Sequence, residues 1–135
     1  METTKDLHGY SCIIYKNSEK RTFNRKGVID LFELLTTEPD ALKGASVSDK
    51  VVGKGAAALM ILGEVKDVYT PLISTPALQL LKKSDIAVEY DKEVPFILNR
   101  HQTDLCPLEK RCREGNTAKE LLPVISRFIE DMKQK

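Results

Sequence analysis

Residues 49–63 read DKVVGKGAAALMILG. The segment opens with one acid and two lysines and continues with small and apolar side chains. Lys50 and Lys54 are four residues apart, so a helix would place both ammonium groups on one face. A helix this small and apolar is normally buried, and a lysine at its edge needs a partner. The pattern predicts a buried helix that ends at Gly63 and is capped by Asp49 or the serine before it. Asp49 and the two lysines would then form a polar cluster at the edge of the core.

Hydrophobic periodicity and turn residues divide the rest of the chain into alternating strands and helices. Strands are predicted at residues 10–16, 21–23, 45–48, 68–73 and 86–90, and helices at 27–35, 76–83, 107–113 and 117–133. This order predicts one α/β domain over residues 1–135, a layered sandwich with a mixed sheet, an N-terminal hairpin and parallel later strands. Residues 1–8 are a polar lead-in. Pro71 predicts an edge strand or a bulge, and Pro123 predicts the start of the last helix or a kink in it.

Composition excludes several classes of function. The 135 residues are 41% hydrophobic and 30% charged, and the charges nearly cancel to +1. Bulk electrostatic binding of nucleic acid is therefore disfavoured. The longest apolar run, residues 56–62, is too short to span a bilayer, and the first residues lack an apolar signal core. Three cysteines, an odd and small number, argue against a disulfide framework and favour a reducing cytoplasm.

Several short stretches resemble a known domain family. They are SDKVVGKGAAAL at 48–59, STPAL at 74–78, NR at 99–100 and LCPLEK at 105–110. Together they are similar to an uncharacterised bacterial and archaeal family that is assigned a cytidine-deaminase-like fold, and the resemblance covers residues 9–112. It implies a three-layer α/β/α sandwich, in agreement with the order of elements above.

Deaminase activity does not follow from this resemblance. Zinc deaminases place a His or Cys and a nearby Glu at the start of one helix, and Pro-Cys-x-x-Cys at the start of the next. The first helix of this chain offers an acid and two lysines in that region. If Pro76 is the matching proline, Ala77 and Leu80 occupy the two cysteine positions, and neither side chain binds zinc. The sequence therefore predicts no zinc, no other metal and no cofactor.

The lysine cluster is the first candidate site, and two interpretations stay open. A helix N-terminus beside Lys50 and Lys54 would bind an anion or a phosphate, and a desolvated Lys50 would serve as a nucleophile or base. Alternatively, Asp49 forms a structural ion pair and the lysines are solvated. Residues 53–58 also match a loose G-x-G-x-x-A, but the glycines lie inside the predicted helix, so close packing explains them better than a dinucleotide site.

Other polar residues are predicted at the ends of neighbouring strands, where open α/β sheets bind ligands. Ser74 and Thr75 would supply donors at the next helix start, and Asn99 and Arg100 would project into the same cleft or lie in a surface turn.

Cys106 precedes Pro107 at a predicted helix start, which favours either a reactive thiolate or an inert buried thiol. A metal site formed by His101, Cys106 and Cys112 is not expected, because their spacing matches no standard zinc pattern.

These observations support three functional hypotheses. The first is a small-molecule-binding domain without zinc deaminase activity that holds an anionic, nucleotide- or phosphate-like ligand through Asp49, Lys50 and Lys54. The second is a non-catalytic regulatory module that acts through protein contacts, including as a homodimer. The third is a thiol-dependent enzyme or redox sensor that uses Cys106. The sequence assigns no reaction.

Overall fold

The structure is a computed structural model that describes residues 7, 9–25, 28–98, 104 and 106–133. Its strands are β1 (Cys12–Lys16), β2 (Glu19–Phe23), β3 (Ser46–Asp49), β4 (Val51–Val52), β5 (Asp67–Ser74) and β6 (Ala87–Val94). Its helices are α1 (Ile29–Thr37), α2 (Lys54–Leu62), α3 (Thr75–Lys83), α4 (Pro107–Arg111) and α5 (Ala118–Lys133), and a 3₁₀ turn covers Pro39–Ala41. The predicted alternation of strands and helices is confirmed.

The strands form one mixed six-stranded sheet. Strands β1 and β2 form the predicted hairpin, whose turn residues Asn17 and Ser18 have φ angles of 51° and 67°. Strand β1 is also antiparallel to β3, whereas β3, β4 and β6 all run parallel to β5. The prediction that the later strands are parallel is therefore confirmed.

Strands β3 and β4 lie along the same side of β5, because Ser46 pairs with Asp67 and Val52 pairs with Ile73 in one unbroken register. The two short strands are separated at Lys50, whose backbone N–H donates to Ser11 O at 2.9 Å. The interruption faces Pro71, which has no N–H to donate to a neighbouring strand. Pro71 thus lies in a central strand, and the predicted edge position is wrong.

The core is built around α2, which contacts α1, α3, α4 and α5. Ala57, Ala58, Leu59 and Met60 are all 0% exposed. Both faces of the sheet are shielded, because neighbouring positions along a strand point to opposite faces. Ile14, Val47 and Val68 align on one face of β1, β3 and β5, whereas Ile13, Ser48 and Tyr69 align on the other, and all six are at most 2% exposed.

The start of α2 differs from the sequence prediction. Gly53 is the N-cap residue and Lys54 the first helical residue, so the helix does not begin at Asp49. The segment before it pairs with β5 as two short strands. Parallel pairing gives hydrogen-bond partners to backbone groups that would have none in the first turn of a helix. Lys50 therefore lies between two strands, and it shares no helix face with Lys54. The predicted end of the helix at Gly63 is confirmed, with the Gly63 N–H donating to Leu59 O at 2.9 Å.

Two other helix starts follow the sequence. Ser74 caps α3 by accepting a hydrogen bond from the Ala77 N–H at 3.3 Å. Thr117 accepts from the Glu120 N–H at 3.1 Å, which is one half of the predicted capping box. The Glu120 carboxylate accepts from the Thr117 hydroxyl at 3.1 Å and not from its backbone N–H. Helix α5 begins at Ala118 and contains Pro123 within its length.

Candidate functional site

A cavity of about 580 Å³ opens at the end of the sheet where β2, β3 and β4 finish. The starts of α1, α2 and α4 surround it. Its described lining residues are Gly9, Ser11, Asn24, Val28, Asp49, Lys50, Val51, Gly53, Gly55, Ala56, Ile97, Cys106, Leu108 and Glu109. Three residues singled out from the sequence, Asp49, Lys50 and Cys106, thus share one cavity at the strand ends predicted for a ligand.

Asp49 is the buried acid of this cavity, with only 7% of its surface exposed. The backbone N–H groups of Lys50 and Val51 favour its charged form and lower its pKa. Burial nevertheless dominates and, with a smaller contribution from the charge of Asp30, raises the pKa of Asp49 from 3.8 to about 7. Near neutral pH this group therefore exists in both protonation states.

Cys12 lies directly opposite Asp49 in the β1–β3 pairing and is 5% exposed. Burial raises the pKa of the Cys12 thiol well above 9.0, and the charges of Asp49 and Asp30 raise it further. Arg25 donates from Nε to the Asp30 carboxylate at 2.7 Å. Asp30 thus has a cationic partner, whereas Asp49 is held by backbone donors.

Lys50 is exposed and is one of the residues that line the cavity. It is the only lysine or arginine among the described lining residues. Lys50 and Lys54 do not form the helical pair predicted from the sequence, because only Lys54 lies in α2.

Lys54 points elsewhere. Its ammonium group donates to Arg113 O at 3.2 Å, and its backbone N–H donates to Glu109 Oε1 at 2.9 Å. Its side chain is not among the described walls of the cavity. Lys54 is thus used to hold the segment after α4 against α2.

Glu109 is a buried acid of the cavity that sequence reasoning did not place there. It is 6% exposed, and its carboxylate accepts from the backbone N–H of Lys54 and, at 3.0 Å, from that of Ile97. It therefore occupies the N-terminus of α2, where the sequence predicted an external anion. The sequence shows only an acid in the first turn of a short helix, which does not reveal that the acid caps a different helix.

The two glycines at the start of α2 permit this contact. A Cβ on Gly53 would lie 3.2 Å from Glu109 Oε1, and a Cβ on Gly55 would lie 2.7 Å from Leu108 Cδ2. Helix α4 therefore sits directly on the first turn of α2. This geometry supports close packing as the reason for the glycines.

The three cysteines are unbridged, and two of them lie at either end of α4. Cys106 is partly exposed, lines the cavity and donates its N–H to Ile97 O at 2.8 Å. Cys112 is 0% exposed, and burial, followed by the charge of Glu109, raises the pKa of its thiol to about 11. Cys106 is therefore the thiol that a cavity ligand can reach.

Ser74 and Thr75 lie at the start of α3, and neither is among the described walls of the cavity. Ser74 is 0% exposed, and its hydroxyl caps α3. The Thr75 hydroxyl donates to Glu93 Oε2 at 2.7 Å. The predicted site residues Asn99 and Arg100 lie outside the described residues, as does His101. Within the described part of the chain, no group of three or more His, Cys, Asp or Glu side chains is placed to hold a metal ion.

The fold and the cavity define a mixed α/β protein with a candidate ligand site at the ends of its strands. Residues 4–129 match the family described as a domain of unknown function, DUF1893 (TM1506), and the chain belongs to that family. A crystal structure of a DUF1893 family protein (TM1506) from Thermotoga maritima superposes with a TM-score of 0.81 at 27% sequence identity. The match covers 87% of this chain and 80% of that one.

The family match agrees with the resemblance to a domain of unknown function. No curated protein matches the chain. None of the helices in the described ranges combines the length and the apolarity needed to span a bilayer.

Proposed function

We propose that this protein binds a small anionic molecule in the cavity beside the start of α2. The observation that carries the proposal is that a cavity of about 580 Å³ is lined by Lys50, the only lysine or arginine among its described lining residues, together with a buried acid. Small-molecule sites are typically concave and mostly apolar, with a few polar groups that fix the orientation of the ligand. This cavity has that composition.

Each polar group has a distinct part in the proposed site. Lys50 supplies the positive charge that pairs with the anionic group of the ligand. The pKa of Asp49 is about 7, so below neutral pH its carboxyl is mainly protonated and donates a hydrogen bond to a ligand oxygen. Lys54, which the sequence placed beside Lys50, contributes by fixing α4 rather than by touching the ligand.

A thermal-shift screen of small anions, including inorganic phosphate, nucleoside monophosphates and carboxylates, tests this proposal. Ligands that raise the melting temperature of the wild type are then titrated against Lys50→Ala. The matched control is Lys43→Ala, an exposed lysine in the loop at the other end of β3. We expect Lys50→Ala to weaken binding about tenfold and Lys43→Ala to leave it unchanged, since a hydrogen bond between charged groups contributes about 1.5 kcal/mol. Equal binding by both variants would remove the proposal.

We also propose that the fold is the three-layer, deaminase-like sandwich that the sequence resemblance implies, without zinc chemistry. The shielding of both faces of the sheet supports the layering. The positions that would carry zinc-binding cysteines are Ala77 and Leu80, which are 0% and 7% exposed and lie in the apolar core. Metal analysis of the purified protein checks this proposal, and stoichiometric zinc would contradict it.

A second candidate function is thiol chemistry at Cys106, which is favoured by its position on the cavity wall. In this alternative the protein is a thiol-dependent enzyme or redox sensor, and the cavity positions its substrate. The rate of Cys106 alkylation at neutral pH tests it, because a reactive thiolate is modified faster than free cysteine. A rate equal to that of free cysteine would eliminate this alternative.

A further alternative is a non-catalytic regulatory module that acts through protein contacts, including as a homodimer. Phe96 and Leu98 are each 47% exposed, and exposed apolar side chains of this size are common at sites of protein contact. Light scattering across a range of concentrations would reveal a homodimer. A constant monomer mass, unchanged in the Phe96→Ser variant, would argue against self-association.

A further inference from the structure

The described walls of the cavity are mainly apolar. Val28, Ala56 and Leu108 are at most 8% exposed, so their side chains are held in place by the core behind them. Ile97 and Val51 continue the apolar surface toward solvent, where Val51 is 37% exposed. Burying an apolar ligand against such walls stabilises the complex. Burying a strongly charged ligand there costs the free energy of its dehydration.

The charges of the cavity restrict the ligand further. Lys50 supplies one positive charge, while Asp49 and Glu109 place two carboxyl groups on the same walls. A polyphosphate would bring several negative charges to walls whose described residues carry one ammonium group and two carboxyl groups. A ligand with one negative charge can pair with Lys50 and keep the rest of its body away from the acids.

The start of α2 is not free to compensate for those charges. Phosphate sites at helix N-termini depend on backbone N–H groups that point at the ligand. Here Glu109 takes the N–H of Lys54 at 2.9 Å and that of Ile97 at 3.0 Å. A phosphate at this position would meet the Glu109 carboxylate, which already accepts the first N–H of the helix.

We infer that the ligand is a monoanion with an apolar or aromatic body, such as a medium-chain or aromatic monocarboxylate, and not a nucleoside polyphosphate. This inference rests on the proposed ligand site. The carboxylate pairs with Lys50, and the body packs on Val28, Ala56 and Leu108. The cavity of about 580 Å³ is large enough for such a body.

Calorimetric titration of the full chain tests this inference. The ligands are benzoate, the linear carboxylates from pentanoate to octanoate, inorganic pyrophosphate and ATP. For burial in the apolar walls, affinity should rise about two- to fourfold for each added CH₂ group. Lys50→Gln, which keeps the length of the side chain, should weaken octanoate binding about tenfold, while Lys43→Gln should not.

The outcomes separate this inference from the function on which it rests. Carboxylate binding that strengthens with chain length, and that exceeds the binding of pyrophosphate and ATP, supports the inference. Tighter binding of pyrophosphate or ATP that is lost in Lys50→Gln overturns the inference and leaves the anion site standing. If no carboxylate or phosphate binds in a Lys50-dependent manner, both proposals fall. Circular dichroism of each variant verifies that its fold is retained.

Discussion

The Asp49→Asn substitution should remove most of a pH dependence that is built into the core. The Asp49 carboxyl is 7% exposed, and its pKa rises from 3.8 to about 7 because burial penalises the charged form. Between these two pKa values the unfolded chain carries the charge and the folded chain holds the proton. The folded state therefore binds more protons, so its stability falls as the pH rises through this window.

The magnitude follows from the pKa difference. Each pH unit inside the window lowers the free energy of unfolding by about 1.4 kcal/mol, so the full interval corresponds to about 4 kcal/mol. From pH 5 to pH 8 the wild type should lose about 3 kcal/mol through this one group. Asp49→Asn cannot ionise and should lack this slope.

Urea denaturation of the wild type and Asp49→Asn at pH 5, 6, 7 and 8 measures this difference directly, because the other titrating groups are common to both proteins. The matched control is Asp40→Asn, an exposed acid in the 3₁₀ turn, which should run parallel to the wild type. If Asp49→Asn also runs parallel to the wild type, the carboxyl titrates as it does in the unfolded chain, and the reasoning from burial is refuted.

Three further outcomes are expected around α4. Gly55→Ala should lower the free energy of unfolding, measured with urea, by about 1–3 kcal/mol, because its Cβ would lie 2.7 Å from Leu108 Cδ2. Alanine stabilises an uncrowded helix, so a more stable variant would contradict this packing. Glu109→Ala should lower the free energy of unfolding by about 2–4 kcal/mol, because it leaves two backbone N–H groups without an acceptor. Glu109→Gln should recover part of this loss. If the wild type and Glu109→Ala are equally stable, the cap contributes nothing. When the native protein is treated with iodoacetamide at pH 8, mass spectrometry should find the label on Cys106 and not on Cys112. The Cys112 thiol has a pKa of about 11 and is 0% exposed. Labelling of both thiols at the same rate would show that Cys112 is not buried.

Part of the cavity was foreseeable because neighbours in sequence stay neighbours in space. Asp49 and Lys50 are adjacent, so both lie at the cavity even though the sequence predicted them at a helix start and the structure places them at the end of β3. Cys106 was singled out for its place before a proline, and it reaches the same cavity. Glu109 was not foreseeable as a cap, because the helix it caps lies 55 residues away along the chain.

The sequence by itself determined the alternation of strands and helices, the end of α2 at Gly63 and the caps of α3 and α5, because periodicity, glycine and hydroxyl caps act within a few residues. Tertiary structure alone decided where α2 begins. Local preference favours a cap at Asp49, but pairing with β5 draws residues 46–52 into the sheet and delays the helix to Lys54. It also decided that Glu109, and not a ligand, fills the start of α2, since long-range packing sets which charges meet and local sequence does not.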